Sequence, residues 1–262
     1  MSIIFVRTRH EYGSYVDFFR LAELSGYPII FVDEMLKHDS KDTIFIISPV
    51  NGEWNMRPKW YTEGKVILFQ LEWNWDGEHN TPACVDEVWN SDKAHAERNG
   101  FKYVAMGSHI ALNQMDINID YKPIYDVAQI SYQTHRRQII TQQLQQQGIR
   151  LAPNSGLWKS ERSTALMQSR VMLHIHQRED TKGIAPLRWC LAAAHGLPLI
   201  TETVPDYGIF DDRYMMQARY ETIASFTADH VKQPRILQEY SEALHQLLCE
   251  EWTFKRSVEA NV

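Results

Sequence analysis

The chain has 262 residues, of which 44% are hydrophobic and 23% are charged, and its formal net charge at pH 7 is −6. These proportions are ordinary for a globular protein and allow one large domain or two small ones. The acidic total argues against broad binding to the phosphate backbone of nucleic acids, because such binding requires a basic face.

Neither a membrane span nor a secretory leader is predicted. No apolar run reaches the roughly 20 residues that cross a bilayer, and the first residues lack the basic start and long apolar stretch of a signal peptide. Cys84, Cys190 and Cys249 are odd in number and far apart in the sequence, which favours neither a disulfide framework nor a CxxC metal site. We therefore expect a cytoplasmic protein with reduced thiols.

Strands and helices alternate in the first part of the chain. Apolar runs rich in β-branched residues predict strands over 2–8, 28–34, 43–49 and 65–72. Such nearly continuous apolar runs are typical of parallel strands that are covered on both faces. A helical spacing of apolar residues over 15–27 predicts the first helix, and residues 85–107 continue the alternation.

A polar, irregular stretch at 111–123 interrupts this pattern and predicts a linker. The pattern then restarts, with strands predicted over 125–131, 149–153, 170–176, 197–202 and 218–226. Helices are predicted over 134–148, 155–169 and 185–196, and from about 227 to the end.

This alternation predicts an α/β fold with two Rossmann-like domains, whose parallel sheets face a cleft. We expect an N-terminal domain over residues 1–118. A second domain is expected over 122–250, followed by a C-terminal tail over 251–262.

Three polar residues are predicted to meet at one edge of the second sheet. His176 and Glu202 end two predicted strands, and Arg188 lies in the first turn of the helix between them. In open α/β sheets, ligands bind at the carboxyl ends of the strands. A cation at a helix N-terminus interacts unfavourably with the helix macrodipole, and a bound anion at the same place would offset this. The placement therefore favours an anionic ligand with hydroxyl groups beside it.

Simpler interpretations exist for each of these residues. Arg188 is also placed to form an ion pair with Glu179 or Asp180 on the preceding loop. Glu202 could simply be a solvated residue at the end of a strand. His174 and His176 have an i, i+2 spacing that some metal sites use, but no third ligand is near in sequence, so we predict no metal. A hydrogen-bonded core position is the favoured interpretation of His174.

The segments LHIH, LRWCLAAAHGLP and LITE resemble the donor-binding half of GT-B glycosyltransferases, especially a compact bacterial and phage group related to the spore-maturation protein CgeB. YDVAQISYQTHRRQIITQQLQQQGIRL is similar to the opening strand and helix of that half. VDEVWNSDKAHAERNGFKYVAMGSH resembles the segment that closes the N-terminal domain. The chain departs from the pattern at three places. His174 replaces a usual asparagine, no acidic residue precedes Arg188, and Cys190 stands near the place of a ribose-binding glutamate.

The resemblance implies transfer of a sugar from a nucleotide-sugar donor, which is a substrate, to an acceptor hydroxyl, with no metal or other cofactor. Arg188 and His176 are then expected at the phosphates and Glu202 at hydroxyl groups. Ser131 and the turn that follows it, 132–137, are also expected near the phosphates. Trp158 is a candidate for stacking on the base, or else a buried helix residue.

The acceptor side of the reaction is expected to use the N-terminal domain. A general base activates the acceptor in inverting enzymes, and Glu72, at the end of a predicted strand, is our first candidate. His10, which follows the first strand, is the second. Trp73 and Trp75 offer indole faces to a sugar ring, or alternatively pack within the domain.

Three other functions compete with this one. The expected acceptor is a glycan or a small molecule. The first alternative has the same fold but a different acceptor: a phage-type enzyme that glycosylates modified bases in DNA. A non-catalytic module that binds a nucleotide or glycan is the second. A dehydrogenase is disfavoured because no GxGxxG fingerprint follows a strand.

Overall fold

The computed structural model describes residues 1–7, 14–48, 62–71, 85–113, 122–153, 159–179, 185–204 and 208–262. Within these ranges the strands form two sheets, and every pair of neighbouring strands is parallel. This confirms the predicted fold class, an α/β protein with two Rossmann-like domains.

The first sheet has six strands in the order β2-β1-β3-β4-β5-β6. Their bounds are β1 Ser2–Arg7, β2 Ile29–Phe31, β3 Thr43–Ile47, β4 Lys65–Gln70, β5 Glu87–Asn90 and β6 Lys102–Tyr103. The helices of this domain are α1 Ser14–Leu24 and α2 Lys93–Asn99, with 3₁₀ turns at Val32–Lys37 and Ile110–Leu112. All five residues of β3 are buried, as expected for a central parallel strand.

The second sheet has four strands in the order β10-β9-β8-β7. Their bounds are β7 Tyr125–Ala128, β8 Ser169–His174, β9 Leu199–Glu202 and β10 Met216–Ala218. The helices are α3 His135–Gln146, α4 Lys159–Met167, α5 Pro186–Ala194, α6 Ile223–His230, α7 Pro234–His245 and α8 Phe254–Glu259, with a π-helical turn at Gln246–Glu251 between the last two.

Some predicted strands are shorter in the structure or are not strands. The strand predicted over 28–34 ends at Phe31, where a 3₁₀ turn begins. The strand predicted over 149–153 is reduced to a single bridge between Val127 and Leu151. The strand predicted over 170–176 ends at His174, so His176 lies two residues beyond it.

The strand predicted over 218–226 is wrong. β10 ends at Ala218, and α6 begins at Ile223. The buried residues of this helix are Ile223, Ala224, Thr227 and Ala228, which lie on one helical face because the last three are one, four and five positions after Ile223. Packing of this face overrides the β preference of the local sequence.

A buried ion pair connects the two domains. Arg162 on α4 donates to both carboxylate oxygens of Asp17 on α1, at 2.8 and 2.6 Å, and each residue is only 3% exposed. Since the two residues are 145 positions apart in sequence, the pair fixes α4 of the second domain against α1 of the first.

The C-terminal residues return to the first domain. The ring of Phe254 on α8 packs against Phe5 and Phe18 at centroid distances of 5.8 and 5.7 Å, and the indole of Trp252 donates to the Ala105 carbonyl at 2.8 Å. Gly107 allows this approach, because a Cβ there would lie 1.9 Å from the Trp252 carbonyl oxygen. The last helix therefore packs on the first domain although it follows the second in sequence.

Of the helices formed by described residues, none combines the length and the apolar character that crossing a membrane requires.

The ion pair leads to a stability prediction. Asp17→Asn leaves the Arg162 charge buried without its counter-charge, so we expect a loss of about 3–5 kcal/mol in the free energy of unfolding. The double variant Asp17→Leu/Arg162→Met leaves no buried charge and should lose less. Urea denaturation followed by circular dichroism measures both.

The matched control is Asp211→Asn, which breaks the exposed pair with Arg213 and should cost less than about 1 kcal/mol. An Asp17→Asn variant as stable as this control would contradict the buried interdomain pair.

Candidate functional site

The peptide unit that joins Ile175 to His176 is bound by charged side chains on both of its sides. Pairing between β8 and β9 ends at His174 and Thr201. One step beyond, the Ile175 carbonyl accepts from Arg137 Nε at 2.9 Å, and the His176 N–H donates to Glu202 Oε2 at 2.5 Å. Side chains thus extend the hydrogen bonding past the end of the strand ladder.

Glu202, the last residue of β9, is 5% exposed. The interpretation in which its carboxylate is solvated at a strand end is therefore wrong. Its second oxygen, Oε1, accepts from Arg136 Nη2 at 2.5 Å. Burial raises the pKa of Glu202, whereas the His176 N–H and the Arg136 charge oppose that rise. Glu202 and Arg136 thus form a largely buried ion pair.

Besides its bond to Glu202, Arg136 contacts an aromatic ring. Its guanidinium lies 3.8 Å from the ring centroid of Tyr220, and the Tyr220 hydroxyl donates to the main-chain carbonyl of Arg136 at 3.0 Å. The Arg136 side chain is 20% exposed, and its buried Nε has no hydrogen-bond partner in the part of the chain that the structure describes. The guanidinium is thus fixed in position while part of it still reaches the surface.

Arg137 and Arg188 add positive charge at the same edge. Arg137 is 6% exposed and also donates to the Tyr132 carbonyl at 2.7 Å. Burial, followed by the charges of Arg188 and Arg136 and opposed by Glu202, lowers the pKa of Arg137 to about 10. Guanidinium groups stay protonated in proteins, so three cations share this edge with the Glu202 carboxyl group.

His174 is the hydrogen-bonded core residue that the sequence predicted. It is 8% exposed, and its Nδ1 lies 3.3 Å from Thr201 Oγ1. Burial, followed by the charges of His176 and Arg188, lowers the pKa of His174 well below its ordinary value. The ring is therefore neutral at pH 7.

His176 is neutral for the same physical reason. It is 4% exposed, and burial, with the charges of Arg136 and Arg137, lowers its pKa to about 4. Its Nδ1 lies 3.8 Å from Glu202 Oε2, beyond hydrogen-bond length. Its buried Nε2 has no partner among the described residues, so this ring nitrogen is available to a ligand.

Metal-ligating side chains do not cluster here. Over the described ranges, no three His, Cys, Asp or Glu side chains are placed to hold a metal ion. The cluster at this edge instead combines guanidinium groups with neutral imidazoles, which suits an anion.

Two helices begin at this edge, and neither carries an acidic residue in its first turn. The cap of α3 is Thr134, whose hydroxyl accepts from the Arg137 N–H at 3.4 Å. α5 follows Ala185, which provides no side-chain cap. Ser131 precedes α3, and its buried Oγ has no hydrogen-bond partner within the ranges given above. Arginines in the first turns oppose both helix dipoles, so an anion at this edge would be stabilised by all of these groups.

The structure brings together His176 and Glu202. Arg188 lies close enough to shift the pKa values of Arg137 and His174, and Ser131 lies in the loop before α3. The other predicted site residues lie outside the described residues and stay predictions: Glu72, His10, Trp158, Trp73 and Trp75. Individual roles for Arg136 and Arg137 were not recognised, although the THRR segment after the first strand of this domain was the available signal. Tyr220 was missed because residues 218–226 were predicted as a strand.

No protein-family model matches the chain, and no curated protein matches it.

Solved structures do share its fold. AviGT4, described as a glycosyltransferase involved in avilamycin A biosynthesis, aligns with a TM-score of 0.66 and 11% identity over 99% of this chain and 96% of that one. A structure described as trehalose-6-phosphate from E. coli bound with UDP-2-fluoro glucose aligns with a TM-score of 0.60 and 8% identity, over 99% and 98%. TarM aligns at 0.53 and 11% identity over 85% of this chain, which spans only 54% of TarM. These likenesses establish the GT-B arrangement of the two domains.

The depressed pKa of His176 predicts a pH dependence of stability. The unfolded state, with an ordinary histidine pKa of 6.5, binds more protons than the folded state between about pH 6.5 and 4. The free energy of unfolding should therefore fall as pH decreases through this window, by up to about 1.4 kcal/mol per pH unit for one proton. The raised pKa of Glu202 acts in the opposite direction.

His176→Asn should make this slope shallower, by up to about 1.4 kcal/mol per pH unit for the proton removed. Urea denaturation at a series of pH values measures it, with the exposed His38→Asn as the control for replacing a histidine at the surface. An unchanged slope in His176→Asn would mean that this imidazole is not kept neutral by burial.

Proposed function

We propose that the protein is a metal-independent glycosyltransferase, which transfers a sugar from a nucleotide-sugar donor to an acceptor hydroxyl. The observation that carries this proposal is the gathering of Arg136, Arg137 and Arg188 at the carboxyl edge of the second sheet. Mutual repulsion among these guanidinium groups is relieved when an anion binds between them. A diphosphate is the anion that this fold and charge favour together, and the neighbour bound with UDP-2-fluoro glucose supports a nucleotide-sugar donor.

The chemical step builds negative charge on the leaving diphosphate. The bond between the anomeric carbon and the phosphate oxygen breaks, and its electron pair stays on that oxygen. We assign stabilisation of this charge to Arg136 and Arg188, because both are only partly buried. One such electrostatic contact is commonly worth about 3–4 kcal/mol in the transition state.

Arg137 and Glu202 are better suited to positioning than to ligand contact. Arg137 is buried and already donates to two main-chain carbonyls. Both oxygens of Glu202 are engaged by Arg136 and by the His176 N–H, so its effect on a donor hydroxyl would be secondary to its hold on Arg136. His176 Nε2 is the atom that we assign to hydrogen bonding with the donor, since the ring is neutral and this nitrogen is unsatisfied among the described residues.

The acceptor side of the proposal rests on the sequence. Glu72, or else His10, would remove the proton of the acceptor hydroxyl, and Trp73 and Trp75 would contact the acceptor. The acceptor is a glycan, a small molecule or a modified base in DNA. The free thiols of Cys190 and Cys249 suit a reducing cytoplasm.

Turnover assays test the proposal directly. The protein is incubated with UDP-, GDP-, CMP- and TDP-sugars, and release of the nucleotide and transfer to added acceptors are followed. Nucleotide release from one class of donor is the expected result. Tight binding of a nucleoside diphosphate without turnover of any donor would instead identify a binding module. A gel shift of duplex DNA at low salt would point to the DNA acceptor.

We predict that Arg136→Gln and Arg188→Ala each weaken nucleoside diphosphate binding by at least about tenfold, a loss of about 1.4 kcal/mol, because each removes a cation from the anion site. The melting temperature of Arg188→Ala should stay within a few degrees of the wild type. Thermal shift and calorimetric titration with the four nucleoside diphosphates measure both effects.

The control for these two variants is Arg150→Gln. This arginine lies outside the arginine cluster and is bonded to Asp126 on β7, with an exposed side chain. Its loss should leave nucleotide binding unchanged, and equal shifts in all three variants would refute a role for the arginine cluster.

Tyr220 provides a finer test of how Arg136 is positioned. Tyr220→Phe keeps the ring beneath the guanidinium, whereas Tyr220→Ala removes it. We expect Tyr220→Ala to weaken nucleoside diphosphate binding about fivefold, the equivalent of a cation–π contact of about 1 kcal/mol, and Tyr220→Phe to bind nearly as the wild type does. If both variants bind equally, the ring does not position Arg136.

A further inference from the structure

A cavity of about 340 Å³ lies in the second domain. Its walls come from β7 and the loop after it, from α3, and from the segment 151–153. Gln133, in the turn that was expected near the phosphates, lines it, but the three arginines of the cluster, His176 and Glu202 do not. The volume falls in the range of small-ligand sites, so the cavity is large enough to hold a ligand of its own.

A buried amide in this cavity is only half satisfied. Gln129 is 5% exposed, and its Oε1 accepts from Thr141 Oγ1 at 3.1 Å. Its buried Nε2 has no hydrogen-bond partner in the described part of the chain. Since Thr141 fixes one end of the carboxamide, the amino group at the other end is held in place in the cavity wall. A buried amide donor without a partner costs free energy, which a ligand with an acceptor oxygen would recover.

The other lining groups restrict the chemical class of that ligand. The cavity is lined by no Asp, Glu, Lys, Arg or His side chain among the described residues, so neither an anion nor a cation would find a counter-charge. The lining is instead made of amides and hydroxyls, from Gln133, Gln145, Thr141 and Tyr125, together with apolar surface from Leu151–Pro153. A ring with several neutral hydroxyl groups and an apolar C–H face, which is a saccharide ring, matches both kinds of surface.

We propose that this cavity is a second binding site, which takes a neutral saccharide unit. Its Gln129 amino group donates to a sugar hydroxyl or ring oxygen, and the apolar wall contacts the C–H face of the ring. The biological role of this site rests on the proposed function. A sugar-transferring enzyme that acts on a glycan would use such a site to hold a distal unit of the acceptor chain, outside the reaction centre.

The test is calorimetric or NMR titration of the full chain with maltotriose, cellotriose and chitotriose at millimolar concentration. We expect at least one of them to bind the wild-type protein. Gln129→Met, which keeps the length of the side chain and removes the amide, should weaken that binding at least tenfold. Gln138→Met is the control, because Gln138 is an exposed glutamine on α3, a helix of the cavity wall, but does not itself line the cavity.

Two further measurements show which site the saccharide occupies and separate this inference from the transferase proposal. Arg136→Gln, which should lose nucleotide binding, is expected to keep the saccharide affinity of the wild type, whereas loss of both would mean that the sugar occupies the donor site. Saccharide binding without any nucleotide binding would support the cavity and defeat the transferase proposal.

Two outcomes would overturn the inference itself. The first is no binding of any of the three saccharides. The second is equal affinity of the wild type and Gln129→Met for a bound saccharide, which would mean that the saccharide binds elsewhere.

Discussion

The buried carboxylate of Glu202 is the interaction on which the functional edge depends. One oxygen pairs with Arg136 and the other accepts the His176 N–H, so a single group joins α3, the end of β8 and the end of β9. A buried charge of this kind is tolerated only while its partners are present. Without it, Arg136 would lose its counter-charge, and the segment after β8 would lose its support on one side.

This arrangement explains how an acidic protein forms a site for an anion. The chain as a whole carries a charge of −6, but exposed charges farther away than the Debye length, about 8 Å at physiological ionic strength, are largely screened. The partly buried cluster of arginines is screened less, and burial together with the neighbouring charges of Arg188 and Arg136 lowers the pKa of Arg137. Local charge and burial, rather than net charge, therefore decide which ligand this edge attracts.

The interdomain contacts hold two helices that follow predicted site residues. The Asp17–Arg162 pair fixes α1 against α4, and each of these helices follows a segment that carries a predicted site residue, His10 before α1 and Trp158 before α4. The return of α8 to the first domain adds Phe254 to its aromatic core. Together these contacts fix α1 and α4 relative to each other, which is a requirement for any site that uses both domains.

The sequence by itself determined the alternation of strands and helices, the parallel sheets and the convergence of His176, Arg188 and Glu202 at one edge. These features follow from local periodicity and from the rule that parallel strands end together. Only the tertiary structure decided that Glu202 pairs with Arg136, 66 residues away, and that residues 223–230 form a helix. Long-range ion pairs and burial depend on which elements become neighbours, and local spacing in a single chain carries no record of that choice.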